Sequence, residues 1–280
     1  MASDARAAPL TRVCVIGVTG RMGQALLRTA PLFPQLIVTG AVASPASLAL
    51  GRDAGEVAGV GATNLIVTGD LPRALAAADV AIDFSNAAAA RANLAACRAA
   101  RKPLLIGTTG HETGLEAALA ATAREIALLV APNTSIAVAL LTELVRLSAR
   151  ALPGSFDIDV LEVHHRGKRD APSGTALALQ AAAAAGRGVP LPAAGPAVDS
   201  SADAGPRPEG QIGVASLRAG DVVGEHTVLF SGPGEQLALR HHASDRAIFA
   251  RGALQAALWL TSRPPGRYTM QDFIGGKTSS

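Results

Sequence analysis

The chain has 280 residues, of which 49% are hydrophobic, so it is long enough for two domains or one large domain with a substantial core. Aromatic residues make up only 3%, and we expect Ala, Leu, Val and Ile to fill that core. The formal net charge is only +3, and the basic residues are spread along the chain, which argues against a nucleic-acid-binding patch.

The amino terminus and the two cysteines indicate the cellular location of the protein. Met1 to Pro9 lacks an apolar core and carries Asp4, so we expect a disordered tail rather than a secretory signal. Apolar runs stay well short of the roughly 20 residues that span a bilayer. Cys14 and Cys97 lack the spacing of a disulfide framework or a zinc site. We therefore predict a cytoplasmic protein with no membrane segment and no metal site.

The first half of the chain alternates apolar strands with helical stretches. A strand at 12–17 leads through a glycine turn into a helix at 22–29. Further strands are predicted at 36–42, 65–67, 80–84, 104–106 and 126–130, with helices at 71–78, 87–100 and 114–125. This alternation predicts a parallel sheet covered on both faces, that is, a Rossmann-type α/β nucleotide domain over residues 1–134.

The turn after the first strand is a candidate phosphate-binding loop. It reads Gly17-Val18-Thr19-Gly20-Arg21-Met22-Gly23 and opens a helix. Such a turn presents backbone N–H groups and a helix N-terminus to a pyrophosphate. The spacing is G-x-x-G-x-x-G rather than G-x-G-x-x-G, and a purely structural turn is the alternative. The place of this turn in the first βα unit favours cofactor binding by Gly17, Val18, Thr19, Gly20, Arg21 and Met22.

Two other strand ends bear on the cofactor. A carboxylate commonly ends the second strand and binds the ribose hydroxyls, but residues 41–45 read Ala-Val-Ala-Ser-Pro. Nothing there repels a 2′-phosphate, and Arg52 follows, so we predict use of both NADH and NADPH with a preference for NADPH. Gly107-Thr108-Thr109-Gly110 follows the strand at 104–106, where ligands of open α/β sheets bind, although a simple turn is equally consistent.

The second half of the chain has a different pattern. A long helix at 136–152, a strand at 156–165 and a helix at 174–185 precede residues 186–211, which are rich in Gly, Pro and Ser. Strands follow at 212–217, 222–230 and 236–241, separated by Gly-Asp and Gly-Pro-Gly turns. A helix at 246–261 and a short tail end the chain. This pattern predicts an α+β domain over residues 135–241, followed by a C-terminal segment, 242–280.

Residues 162–176 carry the densest polar chemistry of the chain. They read Glu-Val-His-His-Arg-Gly-Lys-Arg-Asp-Ala-Pro-Ser-Gly-Thr-Ala. Strand alternation places Glu162 and His164 on one face, where the carboxylate either orients the imidazole or forms a structural pair with it. Ser173 is an N-cap signal, and the helix start at Gly174 offers N–H groups to an anion. A structural junction is the alternative, but the combination suits a carboxylate substrate that needs a proton.

This stretch resembles the signature of the 4-hydroxy-tetrahydrodipicolinate (dihydrodipicolinate) reductase family, and it matches every fixed position of Glu-x-His-His-x-x-Lys-x-Asp-Ala-Pro-Ser-Gly-Thr-Ala. The glycine turn and residues 218–227 are also similar to segments of that family. The resemblance implies hydride delivery from NAD(P)H to a small cyclic dicarboxylate, giving tetrahydrodipicolinate on the diaminopimelate route to lysine. It implies that His164 and Lys168, the latter free in its loop to reach a pocket, handle protons. It also implies that His165 contacts one carboxylate, and that Gly174 and Thr175 hold the other.

The resemblance also implies further contacts and an assembly. Gly107, Thr108 and Thr109 would contact the nicotinamide side of the cofactor, and Ser44 stands in the place of the ribose contact. The next cofactor segment is matched in part by Ala131, Pro132, Asn133 and Thr134, of which Thr134 replaces an aromatic residue or Met. The final helix would return to the nucleotide domain, which makes the substrate domain an insertion with hinges near 133–135 and 242–245. Its sheets would join a homotetramer.

Two other functions are consistent with a nucleotide-binding domain. A semialdehyde dehydrogenase needs a nucleophilic cysteine near the cofactor, and neither the strand position of Cys14 nor the helix position of Cys97 suits that role. A nicotinamide-sensing regulatory protein would keep the glycine turn but has no use for His164 together with Lys168.

Overall fold

A computed structural model describes residues 9–108, 114–191 and 207–276. Its strands are β1 Thr11–Ile16, β2 Leu36–Val42, β3 Val80–Asp83, β4 Leu104–Ile106, β5 Ala127–Val130, β6 Asp157–His164, β7 Ile212–Arg218, β8 Gly224–Gly232, β9 Glu235–Ala243 and β10 Gly266–Tyr268. Its helices are α1 Arg21–Thr29, α2 Ala54–Ala58, α3 Leu71–Ala76, α4 Ala87–Ala99, α5 Leu115–Ala123, α6 Ile136–Ala151, α7 Gly174–Arg187, α8 Ala247–Leu260 and α9 Met270–Gly275.

The chain forms two compact units. One comprises Met1–Ser135 with Ala247–Ser280, and the other comprises Ile136–Arg246. The chain therefore passes from one unit to the other after Ser135 and back after Arg246. The predicted hinge segments, 133–135 and 242–245, lie immediately before these two crossings.

The first unit is built on a six-stranded parallel sheet in the order β10-β5-β4-β3-β1-β2. The central strands are fully buried, as expected for strands that are covered by helices on both faces. Leu94, Leu104, Leu119 and Leu128 belong to one large core cluster of this unit. The predicted Rossmann-type α/β class is confirmed for this unit.

Two predicted elements of this unit were wrong. Residues 65–67 form no strand of the sheet, because this segment pairs only through isolated bridges such as Asp53 with Ile66. The segment after residue 264, predicted only as a short tail, contains β10, which adds a sixth strand beside β5. A capping box between Thr269 and Asp272 then starts α9. The sequence of segment 269–272 carries the signal for this cap, although no helix was predicted there.

The second unit is a four-stranded mixed sheet in the order β7-β6-β8-β9, with β6 and β7 parallel and the other pairs antiparallel. One face packs on α6 and α7 around a core that includes Val145, Val160, Leu179 and Phe230. This is the predicted α+β arrangement with a mixed sheet.

The other face of the second sheet is open and partly apolar. Leu161 is 39% exposed and Leu217 is 62% exposed. The hairpin β8–β9 begins and ends about two residues later than predicted. It begins later because a turn at 219–222 precedes β8. It ends later because the pairing continues to Ala243, opposite Gly224. Among the described residues, no helix is both long enough and apolar enough to cross a membrane.

Candidate functional site

The glycine turn after β1 is fixed by contacts that only glycine permits. The N–H groups of Gly17 and Val18 donate to the carbonyl of Val42 at 2.9 and 3.0 Å, which ties the turn to β2. Gly17 has φ +83°, and a Cβ there would lie 2.7 Å from the carbonyl oxygen of Phe84. Gly20 is the N-cap of α1 and offers no side-chain cap. The first N–H groups of α1 have no partner within the helix, which suits an approaching phosphate.

The side chains of this turn differ in what they can offer a ligand. Val18 is fully buried, so only its backbone can take part. Thr19 and Met22 are half-buried and Arg21 is exposed. The carbonyl of Thr19 accepts a hydrogen bond from Gln24 Nε2 at 3.1 Å. Of the predicted residues in this turn, Arg21 therefore has the most accessible charged group.

The carboxyl end of β2 carries no carboxylate at the predicted ribose position. Ser44 is exposed, and its Oγ accepts a hydrogen bond from the N–H of Ala46 at 3.3 Å. Arg52 is exposed as well, and its carbonyl accepts a hydrogen bond from the N–H of Val67 at 2.9 Å. Ser44 is therefore a neutral and accessible group at this strand end.

The carboxyl ends of β3 and β4 form the next part of this edge. The N–H of Gly107 donates to the carbonyl of Asp83 at 2.9 Å. A Cβ on Gly107 would lie 2.1 Å from the ring of Phe84, so this position requires glycine. Thr108 is buried. Thr109, the third predicted residue here, lies outside the described residues.

A buried polar cluster near this edge was not predicted from the sequence. Asp83 is fully buried and accepts hydrogen bonds from the N–H of Ser85 and from Nδ2 of Asn93, both at 2.8 Å. Asn93 also donates to Ser85 Oγ at 3.0 Å. These bonds fix the turn that packs against Gly17. An acidic residue at the end of a buried strand was the only signal in the sequence.

Residues 131–134 follow β5. The N–H of Ala131 donates to the carbonyl of Ile106 at 2.9 Å, and Asn133 Oδ1 accepts a hydrogen bond from the N–H of Ser135 at 2.8 Å. Pro132 is exposed. Thr134 is 2% exposed, and its hydroxyl donates to the carbonyl of Phe249 in α8 at 2.7 Å. This hydroxyl is used within the fold, so a cofactor contact from Thr134 would come from its backbone.

In the second unit, β6 delivers a buried carboxylate and histidine to the same face of the sheet. Glu162 is 1% exposed and His164 is 8% exposed. Glu162 Oε2 pairs with His164 Nδ1, which confirms the shared face that the sequence predicts. Burial lowers the pKa of His164 and Glu162 raises it, while Lys168 and Arg218 lower it further, so that the net pKa is below the ordinary value. His165, the next residue, is half-buried.

The other oxygen of Glu162 joins two further segments. Oε1 accepts a hydrogen bond from Arg218 Nη2 at 2.9 Å and one from the N–H of Ser173 at 3.2 Å. Arg218 also donates to the carbonyl of Asp170 at 2.6 Å. Burial raises the pKa of Glu162, but hydrogen bonds from Arg218 and Ser216 and the charge of His164 outweigh burial and bring the pKa below its usual range. Glu162 is therefore a charged group at neutral pH.

His226 completes the buried cluster from β8, where it is the cross-strand partner of Glu162. Its Nε2 lies 3.2 Å from Ser173 Oγ, and its ring meets the ring of His164 edge-on with centroids 5.1 Å apart. Burial first, and then the charge of His164, lower the pKa of His226 to about 4. His226 is therefore neutral at neutral pH.

Glu162, His164 and His226 are residues of types that can bind a metal ion. One ligand atom each from Glu162, His164 and His226 lies within 4.8 Å of the others. Both oxygens of Glu162 are already engaged, however, and the guanidinium of Arg218 contacts one of them. Because a neighbouring positive charge opposes a cation, this cluster is poorly suited to a metal ion.

Lys168 lies in the loop that follows β6. The sequence predicted a free side chain there, but Lys168 is paired. Its Nζ contacts Oδ1 and Oδ2 of Asp170 at 2.9 and 2.8 Å. Two backbone hydrogen bonds hold this loop. The N–H of Lys168 donates to the carbonyl of His165, and the N–H of Arg166 donates to the carbonyl of Gly220, both at 3.1 Å. The side chain of Asp170 is 60% exposed, so the pair is weak and an incoming carboxylate could replace it.

The loop ends at the N-terminus of α7. Ser173 is the N-cap, as the sequence predicts, and its Oγ accepts a hydrogen bond from the N–H of Ala176 at 3.1 Å. Gly174 is exposed, and a Cβ built there would meet nothing within 4 Å. Thr175 is half-buried. The first turn of this 14-residue helix therefore presents an open backbone surface and its positive dipole end to an anion.

Both cysteines are buried in the first unit. Cys14 and Cys97 have no exposed surface, and burial raises the pKa of the Cys14 thiol to about 12 and that of Cys97 likewise upward. The thiolate is the nucleophilic form of cysteine. These two residues therefore provide no nucleophile of the kind that a semialdehyde dehydrogenase needs.

Comparison with known proteins gives consistent matches along the chain. A family model described as "Dihydrodipicolinate reductase, N-terminus" matches residues 11–134, and one described as "Dihydrodipicolinate reductase, C-terminus" matches residues 137–274. The chain is similar to the 4-hydroxy-tetrahydrodipicolinate reductase of Anaeromyxobacter dehalogenans strain 2CP-1, with 45% identity over 266 residues, 95% of this chain and 98% of that protein. It is 47% identical over 267 residues to the enzyme of the same name from Alkalilimnicola ehrlichii, with 95% of this chain and 99% of that protein covered.

A solved structure supports the fold. The dipicolinate-bound dihydrodipicolinate reductase from Paenisporosarcina sp. TG-14 superimposes with a TM-score of 0.71 at 23% identity, over 93% of this chain and 97% of that one.

Proposed function

The chain belongs to the dihydrodipicolinate reductase family, and on that premise we propose that it reduces 4-hydroxy-tetrahydrodipicolinate to tetrahydrodipicolinate with NAD(P)H, in the diaminopimelate route to lysine. The observation that carries this proposal is the buried Glu162–His164 pair beside Lys168 and the capped N-terminus of α7. This group combines a proton donor, a cation and an anion cradle, and a dicarboxylate that gains a hydride needs all three. In balance, the substrate, NAD(P)H and one proton give tetrahydrodipicolinate, NAD(P)⁺ and water.

We assign the proton to His164. Its Nδ1 is held by Glu162, so Nε2 is the atom that can deliver a proton to the substrate. General acid catalysis of this kind contributes about 10²–10⁴-fold to a rate. Lys168 exchanges Asp170 for a substrate carboxylate and assists protonation, and His165 contacts the same end of the substrate. Gly174 and Thr175 hold the second carboxylate at the start of α7.

The first unit is assigned to the cofactor and the second to the substrate. The close packing of Gly17 against Phe84 and the uncapped start of α1 fit a pyrophosphate. The residues proposed to hold NAD(P)H are Gly17, Val18, Thr19, Gly20, Arg21, Met22, Ser44, Gly107, Thr108, Thr109, Ala131, Pro132, Asn133 and Thr134. Bound NAD(P)H supplies the hydride. Because Ser44 is neutral and exposed, we propose that both cofactors are used with a preference for NADPH.

The open face of the second sheet is proposed as the contact surface of a homotetramer. Leu161 and Leu217 are exposed on this face, and an exposed apolar sheet face of this kind is typical of a subunit contact. A biosynthetic step that consumes NAD(P)H belongs in the cytoplasm. We propose no nucleic-acid or membrane partner.

The test is a steady-state assay with the purified protein, NADPH or NADH, and substrate generated by the preceding synthase. We expect loss of absorbance at 340 nm that depends on the synthase product, with kcat/KM for NADPH at least equal to that for NADH. A protein that binds NADPH without turnover would instead be a nicotinamide sensor. A preference of about 100-fold for NADH, roughly 2.7 kcal/mol, would contradict the cofactor assignment.

A further inference from the structure

We propose that Glu162 is the positioning residue of this site, holding the proton-donating His164 with one oxygen and the N-cap of the anion-binding helix α7 with the other. This inference rests on the proposed function, because it assigns a role in the same reaction. Glu162 itself lies on the buried face of the sheet and is 1% exposed. It therefore acts through its neighbours rather than on the substrate.

The two oxygens of Glu162 serve different segments of the chain. Oε2 pairs with His164 Nδ1 on the same strand. Oε1 accepts a hydrogen bond from the N–H of Ser173, 11 residues further along. The proton donor and the carboxylate cradle are therefore tied to a single side chain, and neither can shift without breaking one of its bonds.

Arg218 extends this tie to the loop between them. It donates to Glu162 Oε1 and to the carbonyl of Asp170, which fixes the end of the loop that carries Lys168. The register of the sheet makes this possible, since Arg218 is the neighbour of His164 in the parallel β6–β7 pair. His226 supports Ser173 from the other side, at 3.2 Å from its hydroxyl oxygen.

A purely structural role does not account for this arrangement. A buried ion pair generally adds little stability over apolar packing of the same volume, and Ile158 and Val160 on the same face of β6 show that apolar residues pack there. What a carboxylate adds is chemical. Burial, Lys168 and Arg218 lower the pKa of His164, and Glu162 raises it by favouring the imidazolium. The contact between Glu162 and Nδ1 favours the tautomer with its proton on Nδ1, and Nε2 is then the nitrogen left to act on the substrate.

The test compares Glu162→Gln with Glu143→Gln, which removes a glutamate paired with Arg146 on the surface of α6 in the same unit. For Glu162→Gln we expect kcat to fall at least about 100-fold, within the range for loss of general acid catalysis. The alkaline limb of the kcat–pH profile should move to lower pH, because the pKa of His164 falls when its carboxylate partner is lost. KM should change less than about threefold, because the amide oxygen still accepts from Ser173. Glu143→Gln should match wild type.

A complementary variant and a spectroscopic measurement separate the possible failures. Ser173→Ala should raise KM and leave the alkaline limb in place, because it removes the cap of α7 but keeps the Glu162–His164 pair. Nitrogen-15 NMR of labelled histidine should show Nδ1 of His164 protonated in the wild type at all pH values, and deprotonated in neutral Glu162→Gln. Wild-type Nδ1 found unprotonated would overturn the inference even if the variant does not fold. An unmoved alkaline limb with kcat within about threefold of wild type would overturn it as well. Absence of wild-type turnover with the NMR result as expected would instead refute the proposed function.

Discussion

Acidification from pH 7 to pH 4 is expected to destabilise the second unit through His226. This histidine is 4% exposed, and burial and the charge of His164 lower its pKa to about 4. In the unfolded chain the same group has a pKa near 6.5. Between these values the unfolded state binds a proton that the folded state does not, so the free energy of unfolding falls as pH falls.

The size of the effect follows from the two pKa values. A drop from 6.5 to about 4 removes about 2 kcal/mol of stability by pH 5 and about 3 kcal/mol by pH 4. The stability is fully present above pH 7, where both states are neutral at this position. His226→Gln removes the titrating group and should flatten this part of the profile, apart from a constant offset from the lost contact with Ser173.

The assay is urea denaturation followed by circular dichroism at pH 7, 6, 5 and 4 for both proteins. His242→Gln is the matched control, because His242 lies on β9 with a side chain that is 54% exposed. The control should lose stability as steeply as wild type, and His226→Gln should lose about 3 kcal/mol less between pH 7 and 4. Parallel profiles for wild type and His226→Gln would refute the burial argument.

Three further outcomes are expected. Gly17→Ala should weaken NADPH binding and lower the melting temperature, because a side chain at φ +83° costs about 1–2 kcal/mol before any clash with Phe84; unchanged fluorescence titration and calorimetry would argue against this. Cys14 and Cys97 are fully buried, so a thiol reagent should label them only after denaturant is added, and rapid labelling of the native protein would contradict the packing. Leu217→Asp should convert a tetramer to smaller species by light scattering, because Leu217 is 62% exposed on the open sheet face; an unchanged mass would show that the subunits meet elsewhere.

The periodicity of the sequence was sufficient to predict the contacts between residues that lie close together in the chain. Alternation in β6 predicted that Glu162 and His164 share a face, and the Ser-Gly-Thr start predicted the cap of α7; both are confirmed. These predictions succeed because the interacting residues lie within one strand or one helical turn, where backbone geometry alone fixes their relation.

The non-local parts of the site could not be predicted in the same way. Arg218 and His226 reach Glu162 only through the pairing of β7 and β8 with β6, and the register of strands more than 50 residues apart depends on packing rather than on local sequence. The ion pair between Lys168 and Asp170 was missed because loop geometry has no period. Strand β10 was missed because its three residues, Gly266–Tyr268, begin with the glycine of the Pro-Pro-Gly turn and carry no strand pattern of their own, so only pairing with β5 makes them a strand.

The most direct test of the central claim is the Lys168→Ala variant, with Arg169→Ala as the control that removes the adjacent, exposed cation of the same loop. Steady-state rates with synthase-generated substrate and a fluorescence titration of NADPH are measured for both. We expect Lys168→Ala to lose far more than tenfold in kcat/KM while its NADPH affinity is unchanged, because Lys168 lies in the unit that we propose binds the substrate and the glycine turn lies in the other unit. Arg169→Ala should stay near wild type. If Lys168→Ala keeps more than roughly a tenth of wild-type kcat/KM, a loss below about 1.4 kcal/mol, the loop at 162–176 is not the catalytic centre.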